Sequence, residues 1–290
     1  MQERSPVKYA FVLPGIVWVL FFTIFPLLYS LRLAFLQSRM GTPERFIGLQ
    51  NFIQAFRDYR VADAVQVTLF FVACSVVLTV SLGLGLALLF HREIRGQRVF
   101  RSLFTMPMFT APIALGYLGL TIFHEQVGAV NTALAALGVV NLPRWFSDIW
   151  MARLAIVLVD TWQWTPFCFL VLLAGLQSLP DEIYEAAVLD SSSGWDLFRY
   201  ITLPLISPVL FTVTILRMAE AFKVLDIPFS MTNGGPGAAT QTYSYYIYLT
   251  GLRNFNQGYA SALGYLLLIV MIIIATLFFS RMRASFEQEA

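Results

Sequence analysis

Residues 64–90, AVQVTLFFVACSVVLTVSLGLGLALLF, carry no charged side chain over 27 positions. A helix crossing about 30 Å of hydrocarbon needs roughly 20 predominantly apolar residues, so this stretch is long enough to span a bilayer. It shows no strand-like alternation, and a backbone in lipid must satisfy its own hydrogen bonds, which selects the helix. Five further stretches of the same kind lie at 9–35, 103–123, 152–177, 205–230 and 259–280. The expected fold is therefore all-α, a polytopic membrane protein with six transmembrane helices. No connection is long enough to house a second domain, so 1–290 reads as a single transmembrane domain.

Composition agrees. The chain is 58% hydrophobic and only 12% charged, with a mean hydropathy of +0.71, whereas soluble domains run near a quarter charged. A net charge of +2 is too small to imply nucleic acid as a partner. The run from Tyr9 to Leu31 follows Arg4 and Lys8 but is too long for a secretion signal and lacks a small-residue cleavage site, so it reads as a retained anchor. An even number of spans puts both termini on one side. Lysine and arginine are only slightly in excess there; the best sign is the loop 91–101, where four arginines crowd between the second and third spans. That loop and both termini are expected in the cytoplasm.

Prolines at 14, 26, 107, 112 and 166 fall inside spans, where they free backbone carbonyls and kink helices. Gly83 and Gly85 have no preceding strand and no following Lys-Ser or Lys-Thr, so they read as packing glycines rather than a phosphate loop. No Walker-type motif occurs anywhere, so any ATP and Mg would be held by another chain. Cys74 and Cys168 each stand inside an apolar run and read as small buried hydrophobes. His91 and His124 are isolated, and no metal site is expected. Neither His-Glu-x-x-His nor Gly-x-Ser-x-Gly is present, so the chain is not expected to be an enzyme.

The segment 181–204 is unusual for so apolar a chain. After Pro180, residues 181–190 read DEIYEAAVLD, with acids in the first turn as at a helix start. Ser191-Ser-Ser-Gly194 interrupts, and Ser193 with Asp196 has capping-box spacing for a second helix, which is expected to stop at Pro204. Asp181, Glu182, Glu185, Asp190 and Asp196 face only Arg199, unlike the basic face of a membrane-surface helix. The pattern points to a docking element.

Glu185-Ala-Ala followed by Ile201-x-Leu203-Pro204 resembles the EAA motif of permease subunits of binding-protein-dependent ABC importers. Phe46-Ile-Gly-Leu-Gln-Asn-Phe52, Gly128-Ala-Val-Asn131, Glu220-Ala-Phe-Lys223 and Asn233-Gly-Gly-Pro236 are similar to the carbohydrate, maltose-type branch, so the resemblance runs along nearly the whole chain. It implies a type I permease core in the cytoplasmic (inner) membrane of a bacterium or archaeon. The implied partners are a second permease subunit, two ATPase subunits that bind ATP and Mg, and an extracytoplasmic sugar-binding protein. It further implies that the EAA segment is a coupling helix seated on the ATPase, with Glu185 meeting a basic residue and Ala186, Ala187, Asp190, Ser191 and Trp195 at the contact. Ser191 stands where the family usually has glycine.

Ionisable groups at membrane depth cost about 2.5–3.5 kcal/mol each by insertion scales and mark functional sites. The fourth span holds Asp160-Thr-Trp-Gln-Trp-Thr-Pro-Phe167, and the fifth holds Arg217, Glu220 and Lys223 at steps of three. Rings for C–H faces, and carboxylate, amide and guanidinium groups for hydroxyls, suit a carbohydrate. The resemblance implies sugar contacts at Asp160, Gln163, Trp164 and Phe167, and at Arg217 and Ala221; Glu220 joins them by position. Two other readings stay open: Arg217, Glu220 and Lys223 neutralise one another along one helix, and Trp162 and Trp164 belong to an interfacial belt. Gly234-Gly-Pro-Gly237 signals a turn in an outer loop that also carries Tyr243, Tyr245 and Tyr246. An ion-coupled secondary transporter, or an importer of a polyol or glycerol phosphate, is the competing function.

Overall fold

The computed structural model describes residues 6–91, 96–180, 182–185 and 193–289, with side chains between 11 and 280. Among the described residues five helices are long and apolar enough to cross a membrane: Phe11–Ala34, Tyr59–His91, Ile149–Gln177, Gly194–Phe222 and Gln257–Ser280. The third span is different. It consists of Gln97–Phe109 and Pro112–Ile122, bent by 102° at the break. The cause is local: Ala111 precedes proline and is driven out of the helical region to ψ 132°, as the ring of Pro112 demands. The sequence placed the prolines but not a turn this sharp.

Two other prolines are absorbed by widened turns. A proline cannot donate to the carbonyl four residues back, and its ring crowds that carbonyl. Just before Pro26 and Pro204 the chain forms π-helical turns, Leu20–Ile24 and Leu197–Thr202, in which the amides of Phe25 and Leu203 reach back five residues to Leu20 and Phe198. The expectation that a helix stops at Pro204 is thereby corrected: Gly194–Phe222 is one helix, and Pro204 sits just after the bulge. The fifth span, in turn, ends at Phe222 rather than at 230. Pro228 removes the donor that the carbonyl of Val224 would use, and hydroxyls take over the freed acceptors: Thr242 donates to Val224 O at 2.8 Å and Ser244 to Phe222 O at 3.2 Å.

The contacts group the chain into two units. The first comprises residues up to 62 with 246–272. Its short antiparallel ladder pairs β1 (Leu36–Gln37) with β2 (Arg45–Phe46), Leu36 opposite Phe46. Buried Asn51 donates to Ala34 O and Leu36 O, both at 2.9 Å, capping the carbonyl end of the first span. The asparagine of the motif 46–52 is therefore a structural staple. Phe11, Trp18 and Phe21 are exposed along the first span, as lipid-facing side chains are.

The second unit comprises 63–245 with 273 onward. Its core joins the second, fourth and fifth spans through Ala87, Phe90, Phe169, Leu172, Leu176, Ile206 and Val213. Lipid supplies no hydrophobic drive between helices, so close backbone approach does the work. A Cβ on Gly83 would stand 2.6 Å from Cys168 Cβ and 2.9 Å from Phe169 N, whereas one on Gly85 would meet nothing within 4 Å. Of these two, Gly83 alone packs closely against a neighbouring span. Cys74 is half-buried and Cys168 buried, both as free thiols.

The connection after the third span is held by one carboxylate. Glu125 accepts from the amides of Phe146 and Ser147, each at 2.8 Å, and from the Ser147 hydroxyl at 3.0 Å. Partial burial pushes this carboxyl up, but those hydrogen bonds and the charge of Arg144 outweigh it and hold the carboxyl below its usual range. Asn131 of the Gly128–Asn131 motif donates to Glu125 O at 2.9 Å and to Pro143 O at 3.0 Å, and accepts from Trp145 Nε1 at 2.8 Å.

Candidate functional site

A cleft of about 240 Å³ opens beside the fourth span. Asp148 starts that helix by accepting from the amides of Trp150 and Met151. Helical spacing then brings Asp160, Gln163 and Trp164 onto one face, and all three line the cleft. Opposite stand Glu220, Lys223 and Asp226, with Pro112 from the bend of the third span. Gln163 Nε2 donates to Thr110 O at 3.3 Å, so a cleft side chain satisfies a carbonyl freed by the break.

Behind this lining the polar groups converge. Arg217 is fully buried and Asp160 is 2% exposed; the guanidinium donates to the Asp160 carboxylate, and Ser75 of the second span accepts from Arg217 while donating to Asp160. Arg217 also lies over the Trp164 ring, 5.2 Å from its centroid, within cation–π range. Glu220 pairs with Lys223 at 2.7 Å in a more exposed position. The helix-neutralising reading therefore holds for Glu220 and Lys223 and fails for Arg217, which crosses to another span. Arg217 Nε and Nη1, Gln163 Oε1 and Thr161 Oγ1 are buried without a hydrogen-bond partner among the described residues, and buried polar atoms in that condition are costly.

The remaining sequence candidates separate. Phe167 meets Trp164 edge-on at 5.9 Å between centroids and packs on the core cluster, while Ala221 is fully buried; neither lines the cleft. Trp162 is 43% exposed on a different face from Trp164, as an interfacial tryptophan would be. Ser75 and Asp226 were not singled out from sequence, and Pro112 was read only as a helix kink. A lone serine amid apolar residues is too weak a signal, and Pro112 reaches the cleft only because of the 102° bend.

On the docking segment, residues 182–185 are helical and Glu182 and Glu185 are exposed. Ser193 caps the next turn by accepting from the Asp196 amide at 3.4 Å, as its spacing implied. Trp195 and Tyr200 are each 65% exposed, and Tyr184 donates to Thr202 Oγ1 at 3.2 Å, tying the segment to the foot of the fifth span. Ala186, Ala187, Asp190 and Ser191 lie outside the described residues. Among the described residues no group of three His, Cys, Asp or Glu could hold a metal ion.

The turn at 233–237 is tight. Asn233 and Gly234 have φ of 50° and 81°, and Gly235-Pro236 is cis. Tyr245 donates its hydroxyl to Asn233 Oδ1 at 3.0 Å, and a Cβ on Gly234 would lie 2.7 Å from both Gln241 Cγ and Tyr245 Cε1.

Residues 79–289 match the family described as binding-protein-dependent transport system inner membrane component. Among curated proteins the chain is 34% identical to the trehalose/maltose transport system permease protein MalF of Thermococcus litoralis, over 88% of this chain and 85% of that one. It is 30% identical to the sn-glycerol-3-phosphate transport system permease protein UgpA of Agrobacterium fabrum, over 92% and 91%. A crystal structure of a bacterial ABC transporter that imports the acidic polysaccharide alginate shares the fold, with a TM-score of 0.83 at 23% identity over 97% of this chain and 96% of that one.

Proposed function

The chain belongs to the inner membrane components of binding-protein-dependent transport systems, and on that premise we propose that it is a maltose-type permease subunit passing an uncharged sugar along the cleft beside Asp160. As a multi-pass inner-membrane permease subunit of an ABC importer it works with a binding protein. The finer assembly belongs to the proposal: a second permease subunit, two ATPase subunits holding ATP and Mg, both termini in the cytoplasm, and residues 1–290 as one permease domain.

The observation that carries the substrate class is the charge of the cleft. Asp160 is paired with Arg217 and Glu220 with Lys223, and Asp226 adds a third carboxylate to the lining, so the described lining offers no net positive charge to a phosphate or uronate. What it offers is a tryptophan face, an amide whose oxygen has no partner and carboxylate acceptors, which suit C–H faces and hydroxyls. In this reading Asp160, Gln163, Trp164 and Glu220 touch sugar, Arg217 positions Asp160 and Trp164, and Phe167 and Ala221 shape the wall.

Glu185, with Ala186, Ala187, Asp190, Ser191 and Trp195, is proposed to seat on an ATPase subunit. Exposed Trp195 and Glu185 support this, since a packed aromatic beside a charged contact transmits motion better than a loop. The test is uptake by the reconstituted importer with its binding protein. A neutral disaccharide should be carried and glycerol 3-phosphate should not, and Trp164→Ala should reduce uptake while leaving assembly and basal ATP hydrolysis intact. Transport of glycerol phosphate in preference to sugar, or undiminished sugar uptake by Trp164→Ala, rejects the proposal.

A further inference from the structure

The first unit carries a cleft of its own, of about 800 Å³, at the ends of its spans. Arg39, Arg57, Arg60 and Arg253 line it against one carboxylate, Asp58. That carboxylate is engaged: it accepts from the hydroxyls of Tyr246 at 2.7 Å and Tyr259 at 2.9 Å and from the Arg60 amide at 3.0 Å. Burial, reinforced by Asp58, pushes the Tyr246 hydroxyl up to about 12, which keeps it a donor. Among the described residues none of the four arginines is in an ion pair. Two of them are oriented through Nε, Arg60 on Tyr59 OH and Arg253 on Tyr248 OH, both at 3.2 Å. The cleft is thus a concentration of positive charge with its one acid already committed.

Its depth and its flanks say what the charge is for. Tyr59 begins the second span, Gln257 begins the sixth and Ala34 ends the first, so the arginines and tyrosines cluster at span ends, and tyrosines at span ends are those that anchor membrane proteins at headgroup level. The helix Gln50–Arg57 bears Arg57 and also exposes Ile53 at 50% and Phe56 at 82%; beside Arg253, Leu252 is 64% exposed. Apolar side chains left bare next to arginines are the pattern of a segment immersed in the interface, and a water-facing patch for an acidic protein would not need them. Guanidinium groups bind phosphate through parallel N–H donors.

We propose that this cleft binds the phosphate of an anionic phospholipid headgroup on the side of the long connections. The test uses the assembled importer in detergent, with native mass spectrometry of bound phosphatidylglycerol and phosphatidylcholine. Wild type should retain phosphatidylglycerol in clear preference, and Arg57→Gln/Arg253→Gln should weaken that retention roughly tenfold or more, as loss of charge-assisted hydrogen bonds implies. Arg57→Lys/Arg253→Lys keeps the charge but loses the parallel donors; it should weaken retention by a smaller factor, and it carries the test if the glutamine pair does not fold. Equal retention of the two lipids, no change in the lysine pair, or displacement of phosphatidylglycerol by millimolar inorganic phosphate overturns the proposal. So does unchanged lipid retention in variants that lose stimulation by the binding protein, an outcome that reassigns the cleft to protein docking.

Discussion

Separating Asp160 from Arg217 should destabilise this protein, and by unequal amounts from the two sides. The guanidinium is fully buried, with Nε and Nη1 already lacking partners, so its acceptors are the Asp160 carboxylate and Ser75. Asp160→Asn leaves a cation that cannot shed its charge. Removing one member of a buried pair costs about 3–5 kcal/mol, and at roughly 2–4 °C per kcal/mol for a domain of this size that is a fall of roughly 6–20 °C in Tm. Arg217→Gln leaves a carboxylate that still has the Ser75 hydroxyl, faces the cleft and can be discharged by a proton, so its cost should be smaller. The double variant Asp160→Asn/Arg217→Gln replaces the pair with two amides and should recover much of the loss. Thermal unfolding of the three variants in one fixed detergent, followed by loss of the monodisperse peak, gives the cycle. The reasoning is refuted if the single variants lie within about 1 kcal/mol of wild type, or if their effects add within roughly 0.5 kcal/mol, the behaviour of independent sites.

Further outcomes follow from the other contacts. Glu185→Ala should insert and assemble normally while uptake and substrate-stimulated ATP hydrolysis fall roughly 5–150-fold, the usual span of a coupling free energy; normal uptake in vesicles rejects the assignment. Gly234→Ala should cost more than Gly237→Ala, since both have positive φ but only the former drives a Cβ into Gln241 and Tyr245; strain alone is worth about 1–2 kcal/mol, and equal Tm losses would contradict the packing argument. Glu125 has a folded pKa below its unfolded value, so its stabilisation is complete above the unfolded value of about 4.3 and is lost as pH falls through the lower folded value. Hydrogen exchange at Phe146 and Ser147, corrected for intrinsic rate, should accelerate over that acid window in wild type and show no such step in Glu125→Gln.

The sequence by itself determined that this is an all-helical membrane protein and roughly where its spans lie, though not where the fifth begins and ends, because those facts rest on properties a residue carries locally: apolar length against bilayer thickness and the missing N–H of proline. The capping serine at 193 and the polar residues of the fourth and fifth spans were legible for the same reason. Tertiary structure alone decided what Arg217 pairs with. Glu220 stands three residues away on its own helix and Asp160 lies 57 positions earlier, and nothing in the spacing ranks one above the other. Burial ranks them, since a charge shut in the protein interior needs the partner that is shut in with it, and Glu220 is left to Lys223 near water. The 102° bend that carries Pro112 to the cleft was hidden likewise, because a proline fixes where a helix breaks, whereas the packing of neighbouring spans fixes the direction in which it resumes.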